Sequence, residues 1–204
     1  MRVSLGGYAK DPVATPFPAV PPLDQSHAMR LAMARLAVEQ LRGDQAVGAA
    51  VESLVHGLDS PSLRILAGLD SPHLDEALPY LQAAARELQL PPMSRPAAAM
   101  LIAYSLARDI LAGTITPHDG ARAIWNQAYY EVQDQRELDS FVADADDLDD
   151  ALVMKVTDPA LWDGIVREAE QGIREAAAAL VARYGASVVE SHDAAPDRGQ
   201  GPQK

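Results

Sequence analysis

The sequence predicts an all-α fold, a compact bundle of about six to eight helices joined by short corners. Three observations predict it. One corner motif is written three times, apolar residues recur at helical spacing through most of the chain, and outside the two ends no sustained alternation of apolar with polar residues marks a strand. The corner is the strongest of the three. Gly57-Leu58-Asp59-Ser60-Pro61 recurs letter for letter as Gly68-Leu69-Asp70-Ser71-Pro72, and in looser form as Gly113-Thr114-Ile115-Thr116-Pro117. In each Gly-x-x-Ser/Thr-Pro copy the glycine suits the left-handed residue past a helix end. The Ser or Thr suits the cap of the next helix, and the proline suits its first turn, where no amide donor is needed.

Residues 1–23 carry Pro12, Pro16, Pro18, Pro21 and Pro22 and read as an extended, disordered arm, because proline removes donors and fixes φ. The folded part is predicted over 24–185, with 186–204, rich in Gly, Pro, Gln and charge, as a disordered tail. The first helix starts near Asp24 or Ser26, stops before Gly43, and carries Met29, Met33, Leu36, Ala37 and Leu41 on one stripe. The second follows from Asp44 as cap through Val47, Val51, Leu54 and Val55 to Gly57. A short third helix covers Pro61 to Ala67. The fourth runs from Pro72 to about Leu88, and Pro79 should kink or split it, since its ring clashes with the carbonyl four residues back.

Ser94 caps the fifth helix, which enters through Pro96. Its Met100, Leu101, Ile102, Tyr104, Leu106, Ile110 and Leu111 leave it apolar around most of its girth, as befits the centre of a bundle. Thr116-Pro117 opens a sixth helix with Ala121, Ile124, Trp125, Ala128 and Val132 at helical spacing. A shorter, weaker segment covers Glu137 to Ala145, leaving the acidic run that follows as a loop. The last helix opens at Asp158-Pro159, and its pairs Asp163–Arg167 and Glu170–Arg174 stand four apart with the acid first, the favourable order.

Composition narrows the function classes. The chain has 204 residues, 48% of them hydrophobic and only 5% aromatic, which suits one domain of closely packed Ala- and Leu-rich helices. Cysteine is absent, so disulfides, thiolate metal sites and a cysteine nucleophile are excluded together. Arginine outnumbers lysine, in keeping with a GC-rich, bacterial coding sequence. Residues 1–23 hold no apolar run of signal-peptide length, and the apolar stretch Pro96 to Ala107 is too short to span a bilayer, so a cytoplasmic address without membrane contact is expected.

The net charge is −12, and most of the imbalance lies between Glu131 and Glu170, where thirteen acidic residues face Arg136, Lys155 and Arg167. Such a surface repels nucleic-acid phosphates and favours cations or a basic protein partner. A helix-turn-helix across the second corner would offer Asp75 and Glu76 where a DNA reader needs basic or amide side chains, so nucleic acid is not expected as a partner.

The string Leu63-Arg64-Ile65-Leu66-Ala67-Gly68-Leu69, Glu87-Leu88 before a proline corner, Ile110-Leu111-Ala112-Gly113, Pro117, Gly120-Ala121, Ile124-Trp125 and Phe141-Val142 resembles an uncharacterised family of small all-helical bacterial proteins, chiefly actinobacterial. The resemblance covers about residues 60–150 and implies a helical fold. It carries no activity and no catalytic residues. In those relatives an aromatic sits inside the acidic stretch after Phe-Val, and here Asp144 to Asp150 lacks it.

The candidate site is the acidic run itself. Asp144, Asp146, Asp147, Asp149 and Asp150 place five carboxylates within seven residues. They read as a solvated acidic loop, as a surface for a basic partner, or as a site for a hard cation. An EF-hand is excluded, because the turn glycine is missing and Lys155 stands where the closing glutamate belongs. His73 and His118 occupy equivalent positions after their prolines, and could pair on a metal or share acid–base work with Asp75 and Asp119, or simply be tolerated polar residues of a first helical turn. Trp125, Tyr129 and Tyr130 could line a pocket, or Trp125 and one tyrosine are core residues, with Tyr130 the more exposed of the two tyrosines.

No Gly-x-Ser-x-Gly elbow, His-Glu-x-x-His, Walker loop or Gly-x-Gly-x-x-Gly is present, and no cofactor is implied. The sequence therefore favours a non-catalytic helical interaction module, of immunity, inhibitor or adaptor type, with an acidic C-terminal half engaging a basic partner. The alternatives are a divalent-metal-binding bundle or metal-dependent hydrolase using the Asp144–Asp150 cluster with His118, and a helical pocket for a small apolar ligand around Trp125.

Overall fold

The computed structural model describes residues 24–154 and 159–193, with every regular element helical: α1 His27–Ala37, α2 Gly43–Val55, α3 Pro61–Ala67, α4 Leu74–Glu87, α5 Arg95–Ala112, α6 Pro117–Ile124, α7 Asp139–Met154 and α8 Pro159–Asp193. A π-helical turn, Trp125–Tyr129, extends α6, and a single 3₁₀ turn, Gln135–Glu137, leads into α7. The arm predicted at 1–23, the chain end from 194 and Lys155 lie outside the described residues. The predicted tail begins too early, since α8 continues as helix through Asp193.

Caps set most boundaries. The hydroxyls of Ser60, Ser94 and Thr116 accept hydrogen bonds from the amides of Leu63, Ala97 and Asp119, and a proline stands in the first turn of each helix they open. Gly57 and Gly113 take φ of +91° and +72°, and the amides that follow reach back to the Ser53 and Asp109 carbonyls at 3.0 Å. That six-to-one closure satisfies carbonyls that a bare helix end would leave open.

The second corner departs from the prediction. Gly68 has φ −91°, Ser71 takes the left-handed conformation, and α4 begins only at Leu74, with the His73 amide donating to the Glu76 carboxylate at 3.0 Å. Pro72 therefore precedes the helix instead of opening it. Its carbonyl packs against the start of α2, where a Cβ on Gly43 would lie 2.0 Å from the Pro72 oxygen. Identical letters thus fold in two ways, because residue types define the options and packing chooses among them.

Other boundaries differ for local reasons. α1 ends at Ala37 instead of near Gly43, because Glu39 adopts φ +61° and the Gln40 amide closes onto the Arg35 carbonyl at 2.8 Å. Gln89 does the same after α4 with φ +55°. Asp44 lies inside α2, whose cap is Arg42. Pro79 does not split α4; it is exposed, so the Asp75 carbonyl that it leaves without an amide faces water. The acidic run is no loop. It lies within α7, which continues well past the predicted limit at Ala145.

Two apolar cores share α1. Met29, Ala32 and Leu41 join Ala46, Leu63, Leu66, Ala77 and Leu81 between α1, α2, α3 and α4. Ala34 and Val38 turn the other way, towards α5, α6, α7 and α8. α5 buries eight side chains in this second core, from Ala98 to Ile110, and is central as its composition predicts. Phe141 and Leu148 of α7 and Ile173 of α8 are at most 1% exposed. Each such side chain contributes ~1.5–3 kcal/mol of transfer free energy.

Candidate partner-binding face

α7 is anchored by Phe141, Ala145, Leu148 and Ala151, all buried and spaced four, three and three residues apart. That stripe decides where the aspartates go, and it divides them. Asp146, Asp147 and Asp150 stand exposed on the outer side, with no hydrogen bond or ion pair among the described residues. Asp144 and Asp149 flank the core on opposite sides and belong to the helix–helix seams.

Asp149 faces α6. Its carboxylate, about one-third exposed, accepts from the His118 Nε2–H at 2.7 Å on one oxygen and from Arg122 at 2.5 Å on the other. Burial alone would push the Asp149 carboxyl up; the hydrogen bonds from Arg122 and His118 outweigh it and hold the group below the usual carboxylate range. Asp144 faces α8, where a Cβ on Gly172 would lie 2.7 Å from its Oδ2. Burial, reinforced by the like charges of Asp147 and Glu175, pushes the Asp144 carboxyl up.

The aromatic residues follow from the same seam. His118, Arg122, Trp125 and Tyr129 stand four, three and four residues apart and form the α7-facing stripe of α6 and its π turn. Opposite them on α7, Asp139 and Asp149 stand ten residues apart in the antiparallel sense. His118 meets Asp149 at one end, and the Tyr129 hydroxyl donates to Asp139 Oδ1 at 2.9 Å at the other. Trp125 donates its indole N–H to the Tyr130 hydroxyl at 3.2 Å, and Tyr130 is 69% exposed.

The two histidines do not meet in a shared cluster. His73 caps α4 beside Arg42 and Asp44, whereas His118 belongs to the α6–α7 seam. Asp119 is occupied in capping α6, its carboxylate accepting from the Thr116 hydroxyl at 2.7 Å. The His118–Asp149 pair resembles the orienting half of an acid–base site, yet among the described residues no hydroxyl bonds the other ring nitrogen, and Arg122 shares the carboxylate. Among the described residues no three His, Asp or Glu side chains converge as metal ligands. A cleft of about 360 Å³ opens between the start of α5 and the end of α8 beside Met100, Val132 and Tyr184, and Trp125 does not line it.

Sequence reasoning missed Arg122, Asp139 and Gly172. The signal for Arg122 and Asp139 lies in the matched spacings of the two antiparallel stripes, which becomes readable once α7 is known to be a helix; Gly172, on α8, has no such signal. No described helix is long and apolar enough to cross a membrane. Comparison with protein-family models, curated proteins and solved structures finds no match.

Proposed function

We propose that this chain is a non-catalytic, cytoplasmic protein-interaction module, of immunity, inhibitor or adaptor type, whose α7 face engages a basic protein partner. The observation that carries the reading is the unpaired trio Asp146, Asp147 and Asp150 on the outer face of a helix whose inner face is fixed in the core. Like charges held side by side repel one another, and a basic surface relieves that repulsion. The helix holds them ready, so little ordering cost falls on binding. Asp144 and Asp149 support the face from its two seams and do not contact the partner.

The test compares wild type with the Asp146→Asn, Asp147→Asn, Asp150→Asn triple variant in capture of protein from the native cell, followed by affinity measurement on each captured species. The variant melts like wild type and loses the most basic captured species. Raised salt weakens the same complex, because exposed charges are screened beyond about 8–10 Å at physiological ionic strength. Equal affinity of both forms for every captured species overturns the reading.

A further inference from the structure

We infer that the π turn after α6 is a receptor for an arginine side chain of that partner, with the exposed ring of Tyr130 stacking on the guanidinium and the Asp139 carboxylate accepting its hydrogen bonds. The inference rests on the acidic-face reading and names the side chain that the face selects.

The geometry begins with the backbone. A π turn closes over five residues instead of four, so positions 125 and 130 come onto the same side, and Trp125 can hold the Tyr130 hydroxyl at 3.2 Å. Tyr129 braces the same ring edge-on, with centroids 5.2 Å apart and planes at 85°. Tyr130 is therefore both solvent-facing and held in place, and little side-chain freedom remains to be lost on binding. Single π turns inside helices concentrate at functional sites.

Asp139 supplies the charge. It is exposed at the start of α7, and the Tyr129 hydroxyl occupies only Oδ1, leaving Oδ2 to accept. The chain's own guanidinium groups nearby make their hydrogen bonds elsewhere, although the Arg136 charge also acts on Asp139. Arg136 is held by Asp134 at 2.9 and 2.8 Å, Arg95 bridges Glu39 and Glu131, and Arg122 is on Asp149. Among the described residues the cation–aromatic contact is Arg108 over Tyr104, on α5. A planar guanidinium can stack on a ring and hydrogen-bond a carboxylate at once, which an ammonium cannot match. Asp139 and Asp150 are about 16 Å apart along α7 at 1.5 Å per residue. A basic strand of about five or six extended residues can therefore bind Tyr130 at one end and the aspartate trio at the other.

The test uses the full chain, with amidated hexa-arginine and hexa-lysine as probes. Affinity is read by calorimetry, and Trp125 emission is read in a Trp162→Phe background. Hexa-arginine binds more tightly than hexa-lysine and changes Trp125 emission saturably. Tyr130→Ala and Asp139→Asn each weaken it about two- to five-fold, the range expected of an exposed cation–π contact, while Tyr130→Phe, which keeps the ring and its edge-on contact with Tyr129 but gives up the hold of Trp125, weakens it less than Tyr130→Ala. Unchanged affinity in both Tyr130→Ala and Asp139→Asn, flat Trp125 emission, or equal affinity for the two peptides overturns the inference. If the aspartate triple variant still loses the peptide in those cases, the acidic-face reading survives alone. Failure of hexa-arginine to bind wild type overturns both.

Discussion

Replacing Asp149 by Asn tests whether the five aspartates are one cluster or two kinds of residue. The carboxylate accepts one hydrogen bond from His118 and one from Arg122, both across the α6–α7 seam. Hydrogen bonds to charged groups contribute ~1.5–3 kcal/mol each when enclosed. With 34% of the side chain exposed and one acceptor oxygen kept by Asn, the expected loss falls to about 1–2 kcal/mol. For a chain of this size that lowers the melting temperature by roughly 2–8 °C. The Asp146→Asn, Asp147→Asn, Asp150→Asn triple variant removes only exposed, mutually repelling charges and should stay within about 0.5 kcal/mol of wild type, or gain slightly. Urea unfolding at pH 7, followed by circular dichroism at 222 nm, reads both variants. Because the Asp149 carboxyl is held below its ordinary value, its contribution is present above the usual carboxylate pKa and disappears as pH falls through the lowered one. The gap between wild type and Asp149→Asn should therefore close in acid. Equal stability of Asp149→Asn and wild type at pH 7, or equal destabilisation of the single and triple variants, refutes the division of the cluster.

His27 is packed edge-on against Tyr104, and burial, aided by Arg108, pushes its pKa down to about 4. The unfolded chain then binds the extra proton between pH 6.5 and 4, so stability is full above that window and falls by up to about 3 kcal/mol across it; a His27→Phe variant should flatten the acid limb of a denaturation series. Gln89→Gly relieves a left-handed residue at the end of α4 and should stabilise by about 0.5–1 kcal/mol in urea titration, whereas Gly113→Ala at the end of α5 should destabilise. Glu87 accepts from the Ser62 amide and hydroxyl at 3.0 and 2.7 Å, joining the end of α4 to the start of α3; the Ser60 and Ser62 hydroxyls hold its carboxyl below the usual range, so Glu87→Gln should lower the melting temperature at pH 7 and lose that effect in acid.

By itself the sequence determined what depends on residues within one turn of each other. The Ser60, Ser94 and Thr116 caps, the left-handed Gly57 and Gly113, the full length of α3 and the central place of the apolar α5 are all local consequences of residue type. The left-handed ends at Glu39 and Gln89 carry no glycine and were illegible, because packing around those corners overrides a residue preference of only ~1–2 kcal/mol. Tertiary structure alone moved Pro72 out of α4, by seating its carbonyl on Gly43, and it alone divided the aspartates. His118 and Arg122 reach Asp149 across 31 and 27 residues of sequence. Helical spacing says which residues share a face, but the neighbour that face meets is chosen by how the apolar stripes of α6, α7 and α8 pack together, and that choice left three carboxylates on the outer face and drew two into the seams.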